Sequence, residues 1–229
     1  MKKTAYLLIA ALAVCSCGTM ATTESLTKGE RYSQMYEEKP LVLLVLPPIN
    51  NSSNVDAKDL LYTSISRPLA ESGYYVISPL LAMDILKAES AYDAENFVEG
   101  PLNKFKQFFG ADAIVFTEIN TWAKQGLGIK TDLRMFIKST TSGDILFDRE
   151  CDLYLDLSED SSASDTALTS LLKLAVSVAK TALTDHIQAA RVANSYILED
   201  IPRGKYSSYY QTDQQFTAQP QKVSETVSR

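Results

Sequence analysis

The chain has 229 residues, with 22 Lys and Arg against 28 Asp and Glu, for a formal net charge of −6. That balance excludes nucleic acid and anionic lipid headgroups as principal partners, because both demand a basic footprint. With 45% hydrophobic and 22% charged residues, the composition is that of a globular protein, and its length suits one domain of ordinary size.

Lys2 and Lys3 precede an apolar run from Ala5 to Val14, the pattern of a secretory signal. The run is too short to span a bilayer, which takes roughly 20 apolar residues. It ends in Val14-Cys15-Ser16-Cys17-Gly18, with Val at −3, Ser at −1 and Gly after the cysteine. This box predicts cleavage after Ser16 and lipid attachment at Cys17. Cys15 fits worse, since bulky Val14 would occupy its −1 position. Each buried methylene of an acyl chain contributes about 0.8 kcal/mol, so two or three chains, palmitate among them, anchor stably. Residues 1–16 are therefore read as signal peptide and 17–34 as a small, polar, lipidated tether. Residues 35–200 are expected to form a single α/β domain, and 201–229 a polar, extended or disordered tail. Of the 3 Cys, processing leaves only Cys151 unmodified, so no intramolecular disulfide is expected.

Leu41 to Leu46 is a continuous apolar run closed by Pro47 and Pro48, which predicts a central strand covered on both faces. A polar loop follows, and Asn54 or Asp56 can cap a helix reaching about Arg67. Gly73 closes that region, and Tyr74 to Ile77 read as a second strand. Further helices are expected near Leu80 to Glu89 and between Pro101 and Phe109, with Gly110 as the stop. Ala113 to Asn120 is the next strand. This alternation predicts a partly parallel sheet with covering helices.

Gly128 to Lys138 and Ile145 to Leu157 alternate with period two around a turn at Thr140 to Gly143, which predicts an antiparallel hairpin. Asp148, Glu150, Asp152, Tyr154 and Asp156 share one face of its second strand. Cys151, Leu153, Leu155 and Leu157 share the other, with Arg149 as the exception. Arg134 is expected opposite Glu150. The acidic row reads as a solvated, charge-paired face rather than a cation site, which would need more varied ligand geometry. Beyond Ser158 to Asp165, apolar residues from Leu168 to Ile187 recur at helical spacing, predicting a long helix over Thr166 to Ala193 that packs on the sheet. The fold class is thus α/β: a mixed sheet with a parallel βαβ part and an antiparallel hairpin, covered by helices that include a long C-terminal one. In the tail, Tyr206, Tyr209 and Tyr210 are candidates for docking on the domain.

The inventory for catalysis is thin. His186 is the only histidine, which leaves zinc sites and Ser-His-Asp assemblies without enough members. Cys151 falls on an inward strand face, the environment of an inert thiol. No glycine-rich nucleotide cradle is present. No catalytic residue, metal or cofactor is assigned, and an enzyme acting through carboxylates ranks last among the readings. The segment singled out is Pro47 to Ser53, which follows a central strand where ligands bind in open α/β sheets. Pro47, Pro48, Asn50, Asn51 and Ser52 form either a stiff grip for a partner's backbone or a rigid turn before a capped helix.

Several segments together resemble a family of bacterial lipoproteins that has no established biochemical activity. They are Met35 to Pro40, Val45 to Asn51, Val55 to Lys58, Pro68 to Glu71 with Gly73 to Val76, and Phe109 to Ala113 followed by Trp122. The likeness runs from about Met35 to Tyr210. It implies a domain similar to the N-terminal α/β domain of the periplasmic Tol-system protein, pairing into homodimers, and association with lipoproteins resembling the curli secretion channel. The expectation is a non-enzymatic accessory or scaffold lipoprotein of the envelope, on the outer membrane facing the periplasm, that contacts other envelope lipoproteins or a secretion channel. The alternative is a binding module for peptidoglycan or another envelope ligand.

Overall fold

The computed structural model describes residues 26–158 and 184–228. The expected signal peptide, Cys17 and the stretch of the expected long helix before residue 184 lie outside them. The described chain runs α1 (Lys28–Arg31), α2 (Ser33–Glu38), β1 (Val42–Val45), β2 (Ile49–Asn50), α3 (Ala57–Ser64), α4 (Ser66–Glu71), β3 (Tyr75–Val76), α5 (Pro79–Ala88), α6 (Asn103–Phe109), β4 (Ala113–Gln125), β5 (Gly128–Ser139) and β6 (Ile145–Asp156). It ends in a helix, α7, described over 184–197, and β7 (Lys222–Ser228).

These strands form one sheet of order β3-β1-β4-β5-β6-β7, with β2 also pairing β4. The β1–β3, β1–β4 and β6–β7 pairs are parallel, and β4–β5 and β5–β6 are antiparallel. The mixed α/β class is therefore as the hydrophobic pattern indicates. β1 shows why its run lacks alternation. Leu43 and Val45 enter one core with Tyr32, Met35, Leu61, Leu69 and Ala193, while Leu44 and Leu46 enter a second with Leu86, Phe105, Phe116 and Phe136. Each face of the strand meets helices, so apolar side chains gain burial on both.

The hairpin of β5 and β6 covers only one face with helices. Ile129, Leu133, Met135, Cys151, Leu153 and Leu155 join the first core, with Ala189, Ala190 and Ile197 of α7 packed against it. The helix after the loop is split: α3 ends at Ser64, Ile65 bridges, and α4 runs on to Glu71, a little beyond Arg67 and short of Gly73 as expected. β4 also runs beyond its expected end at Asn120. Its register slips between Ile119 and Thr121, a bulge that moves Trp122 onto the same core as Ile119. An alternation count carried across that extra residue places Trp122 on the wrong face.

The C-terminal segment carries more structure than its polar composition indicates. Gly204 N–H donates to Ser72 at 2.9 Å and Tyr206 N–H to Gly73 at 3.0 Å, so this stretch is held by its backbone. Of the three tyrosines expected to dock, Tyr206 and Tyr209 are exposed, the Tyr209 ring lying 6.3 Å from that of Phe216, and Tyr210 is half-buried. A Cβ on Gly73, whose φ is +96°, would stand 2.6 Å from Ser207 N and 2.7 Å from Gly204 O. Only glycine combines that dihedral with that approach.

Candidate functional site

The segment from Pro47 to Ser53 continues the sheet instead of standing out as a loop. Leu46 N–H donates to Val115 O, the two prolines are buried, and Ile49 and Asn50 pair with Glu118 and Ile119 of β4. Prolines have no N–H to give to a ladder, so the interruption between β1 and β2 falls on them. Asn50 then closes the turn on itself. Its Oδ1 accepts from Ser52 N–H at 3.0 Å and Ser52 Oγ at 2.7 Å, and its Nδ2 donates to Asn54 O at 2.7 Å. Asn54 Oδ1 accepts from Asp56 N–H and Ala57 N–H, so Asn54 rather than Asp56 supplies the side-chain cap at the start of α3.

Of the five residues singled out by sequence, Pro47 and Pro48 are buried, Asn50 and Ser52 are engaged within the turn, and Asn51 alone is exposed. Its neighbours at the surface are Ser53 and Val55, the latter 85% exposed. One turn into α3, Lys58 Nζ lies 4.1 Å from the centre of the Tyr92 ring, with Lys87 Nζ 5.4 Å from the same ring. Two ammonium groups thus lie against one tyrosine ring, within the range of cation–π attraction. Nothing in the spacing of Lys58, Lys87 and Tyr92 signals this in the sequence.

A second surface was missed by sequence reasoning. Ile85, Leu86, Ala91, Phe97, Phe105 and Phe108 line a groove of about 560 Å³ between α5 and α6. Phe97 meets Phe105 edge-on at 5.0 Å, and Phe108 is 64% exposed at the rim. The signal was present in Phe105, Phe108 and Phe109, at helical spacing on a short helix.

The remaining candidates are tied into the structure. Trp122 Nε1 donates to His186 Nδ1 at 2.8 Å, and the two rings stack with centroids 6.2 Å apart. Cys151 is fully buried, and burial pushes its thiol up to about 12, which keeps it from being a thiolate nucleophile. Arg134 stands opposite Glu150 in register, yet its guanidinium turns to Asp148 at 2.8 Å and Glu118 at 3.6 Å. Glu150 meets Lys222 at 3.2 Å, and Lys130 pairs with Asp152. Asp148, Glu150 and Asp152 of the acidic row are thus paired with cations, while Asp156 accepts from Ser158 N–H, and no group of His, Cys, Asp and Glu among the described residues is arranged to hold a metal. No described helix is long and apolar enough to cross a membrane. What the arrangement offers chemically is recognition: an exposed polar turn with a cationic edge, and an aromatic groove.

A family model described as "Putative lipoprotein GNA1162-like" matches residues 30–204. Over 91 residues the chain is 30% identical to the lipoprotein NMB1124/NMB1162 of Neisseria meningitidis serogroup B, a match spanning 40% of this chain and 42% of that one. Among solved structures, lipoprotein GNA1162 from Neisseria meningitidis is 24% identical with a TM-score of 0.46, covering 62% of this chain and 100% of the other. The PelC dodecamer from Paraburkholderia phytofirmans is 10% identical with a TM-score of 0.38, over 69% and 85% of the two chains. The C-terminal domain of LpoB from Salmonella enterica is 14% identical with a TM-score of 0.37, over 54% and 93%.

Proposed function

Because the chain belongs to the GNA1162-like lipoprotein family, we propose that it is a non-enzymatic accessory lipoprotein of the cell envelope, anchored by lipid on Cys17 and acting through protein contacts of its α/β domain. The observation that carries this reading is the family match over residues 30–204, joined to the processing box at Cys17. The anchor sits in the outer membrane with the domain facing the periplasm. The partner is an envelope lipoprotein of an assembly or secretion channel, the class that the curli-channel resemblance implies, and the likeness to the Tol-system domain belongs to the same reading. Tethering is the mechanism: confinement to a surface raises the effective concentration of domain and partner without any added contact.

The test is in-cell crosslinking from a photoreactive residue at Asn51, comparing the native chain with Cys17→Ala. Capture of a channel-forming lipoprotein only when Cys17 is intact is the expected result. Crosslinks to cell wall alone, or none, remove this reading. A second reading, a module that binds peptidoglycan, is favoured by the ammonium groups of Lys58 and Lys87 against the Tyr92 ring, since they suit the carboxylates of peptide stems. Retention on purified sacculi that is lost in Lys58→Gln/Lys87→Gln would support it, and unchanged retention would count against that site.

A further inference from the structure

β7 lies outside residues 30–204, the part of the chain that the family model matches. Within the matched part the sheet ends on β6, a strand of 12 residues. β7 lays itself along that edge in parallel, pairing Glu150 with Lys222, Cys151 with Val223, Leu153 with Glu225, Leu155 with Val227 and Asp156 with Ser228. This is strand addition performed by the chain on itself.

The added strand is held lightly. Only Val223 and Val227 are even half-buried, against the alternating burial of β6 from Phe147 to Asp156. Glu225 falls between them on the row that faces Leu153, where an apolar side chain would pack. Its ion pair of Lys222 with Glu150 joins side chains 59% and 46% exposed, a geometry that stabilises little. Upstream, the chain is tied to its own body as far as Gln219: Lys28 N–H donates to Phe216 O and Ala218 N–H to Leu26 O, both at 2.8 Å, and Arg31 Nη1 donates to Gln219 O. Gln221 O already accepts from Glu150 N–H of β6 at 2.8 Å, so the hinge is the short stretch at Pro220. Arg149 Nε donates to Pro220 O at 3.1 Å, and because Arg149 belongs to β6, that contact travels with the docking edge.

The geometry points to β6 as a strand-docking edge between copies of this chain, in which β7 of one copy occupies the edge of another. The occupant is identified by fit: β7 is the strand shown to pair with this edge in register, with Lys222 against Glu150 and Val223 and Val227 on the row of Cys151 and Leu155, and every second copy carries it. Exchange remakes each contact in trans, so the balance depends on hinge strain and local concentration, and a short hinge containing proline is the kind that favours exchange. The proposal rests on the membrane-anchored reading for that concentration alone.

Cys151 supplies a direct test, because it stands opposite Val223 and adjacent strands about 4.8 Å apart bring the two Cα atoms within disulfide range. Two differently tagged full-length copies carrying Val223→Cys are co-expressed, and membranes are resolved without reductant. The expected result is a covalent dimer bearing both tags, with mass spectrometry locating the link between Cys151 and the new cysteine. The double variant Cys151→Ser/Val223→Cys is expected to give no dimer. Only an intrachain link at monomer mass, a dimer that survives Cys151→Ser, or no link at all would overturn the inference. Membrane fractionation of the same samples reports anchoring separately, so strand exchange can fail while the anchored reading stands, and the reverse.

Discussion

Single residues at the seams of this protein hold its elements together. Asp112 accepts from Leu41 N–H and Val42 N–H, both at 3.0 Å, and so holds the entry to β1. Tyr74 is buried and its hydroxyl donates to Pro202 O at 2.6 Å. Asp112→Ala is expected to destabilise by about 1–3 kcal/mol in urea unfolding, since it strips two backbone donors of their acceptor. Arg149, 1% exposed, donates to Tyr196 O at 2.8 Å and to Pro220 O at 3.1 Å. Arg149→Met keeps most of the volume, leaves those carbonyls unpaired, and should cost about 2–4 kcal/mol by the same measurement. Burial also sets a response to alkali. Cys151 is raised from its ordinary 9.0 to about 12, and Tyr32, Tyr36, Tyr62 and Tyr74 are all raised above 10.0, chiefly by burial. The folded state then binds more protons than the unfolded one above about pH 9, so stability present below that pH is lost as pH rises. Urea midpoints measured at increasing pH should hold steady through neutrality and fall above about pH 9, the first loss coming from the thiol.

Element boundaries follow from single residues whose roles differ in kind. Gly73 and Gly110 both have positive φ, +96° and +70°, yet a Cβ at Gly110 would meet nothing within 4 Å, whereas at Gly73 it would strike the backbone of Gly204 and Ser207. Gly110→Ala should therefore cost only the dihedral penalty, about 1 kcal/mol. Gly73→Ala should cost more than about 2 kcal/mol and expose the chain after Pro202 to limited proteolysis, while Gly110→Ala leaves the cleavage pattern unchanged. Asn54→Ala removes the acceptor for the Asp56 and Ala57 N–H groups and should lower stability by about 1 kcal/mol, whereas Asp56→Ala should change it little. Period-two alternation located β5 and β6 because their faces differ in burial throughout. It lost β4 after Asn120 because a bulge reverses the alternation there.

At the scale of the whole molecule, the two sheet faces divide the labour. One is covered by α7 and the N-terminal helices. The other is helix-covered at the parallel end and charged along the hairpin, and the aromatic groove lies among its helices. Phe108 is 64% exposed, so Phe108→Asp should leave the urea midpoint nearly unchanged, and any role of the groove in partner capture would appear as a lost crosslink without lost fold. The sequence by itself determined what depends on local pattern: the mixed α/β class, the doubly covered β1, the hairpin and its register, and the inward-facing Cys151. Hydrophobic periodicity and short motifs carry that information within a few residues. Only the tertiary structure decided that Asn50 and Ser52 are spent within their own turn, that Lys58 and Lys87 converge on Tyr92, and that Gly73 meets Gly204. It alone showed β7 adding itself to β6. Those outcomes join positions distant along the chain or depend on competition among hydrogen-bond partners, and neither leaves a periodic trace in the sequence.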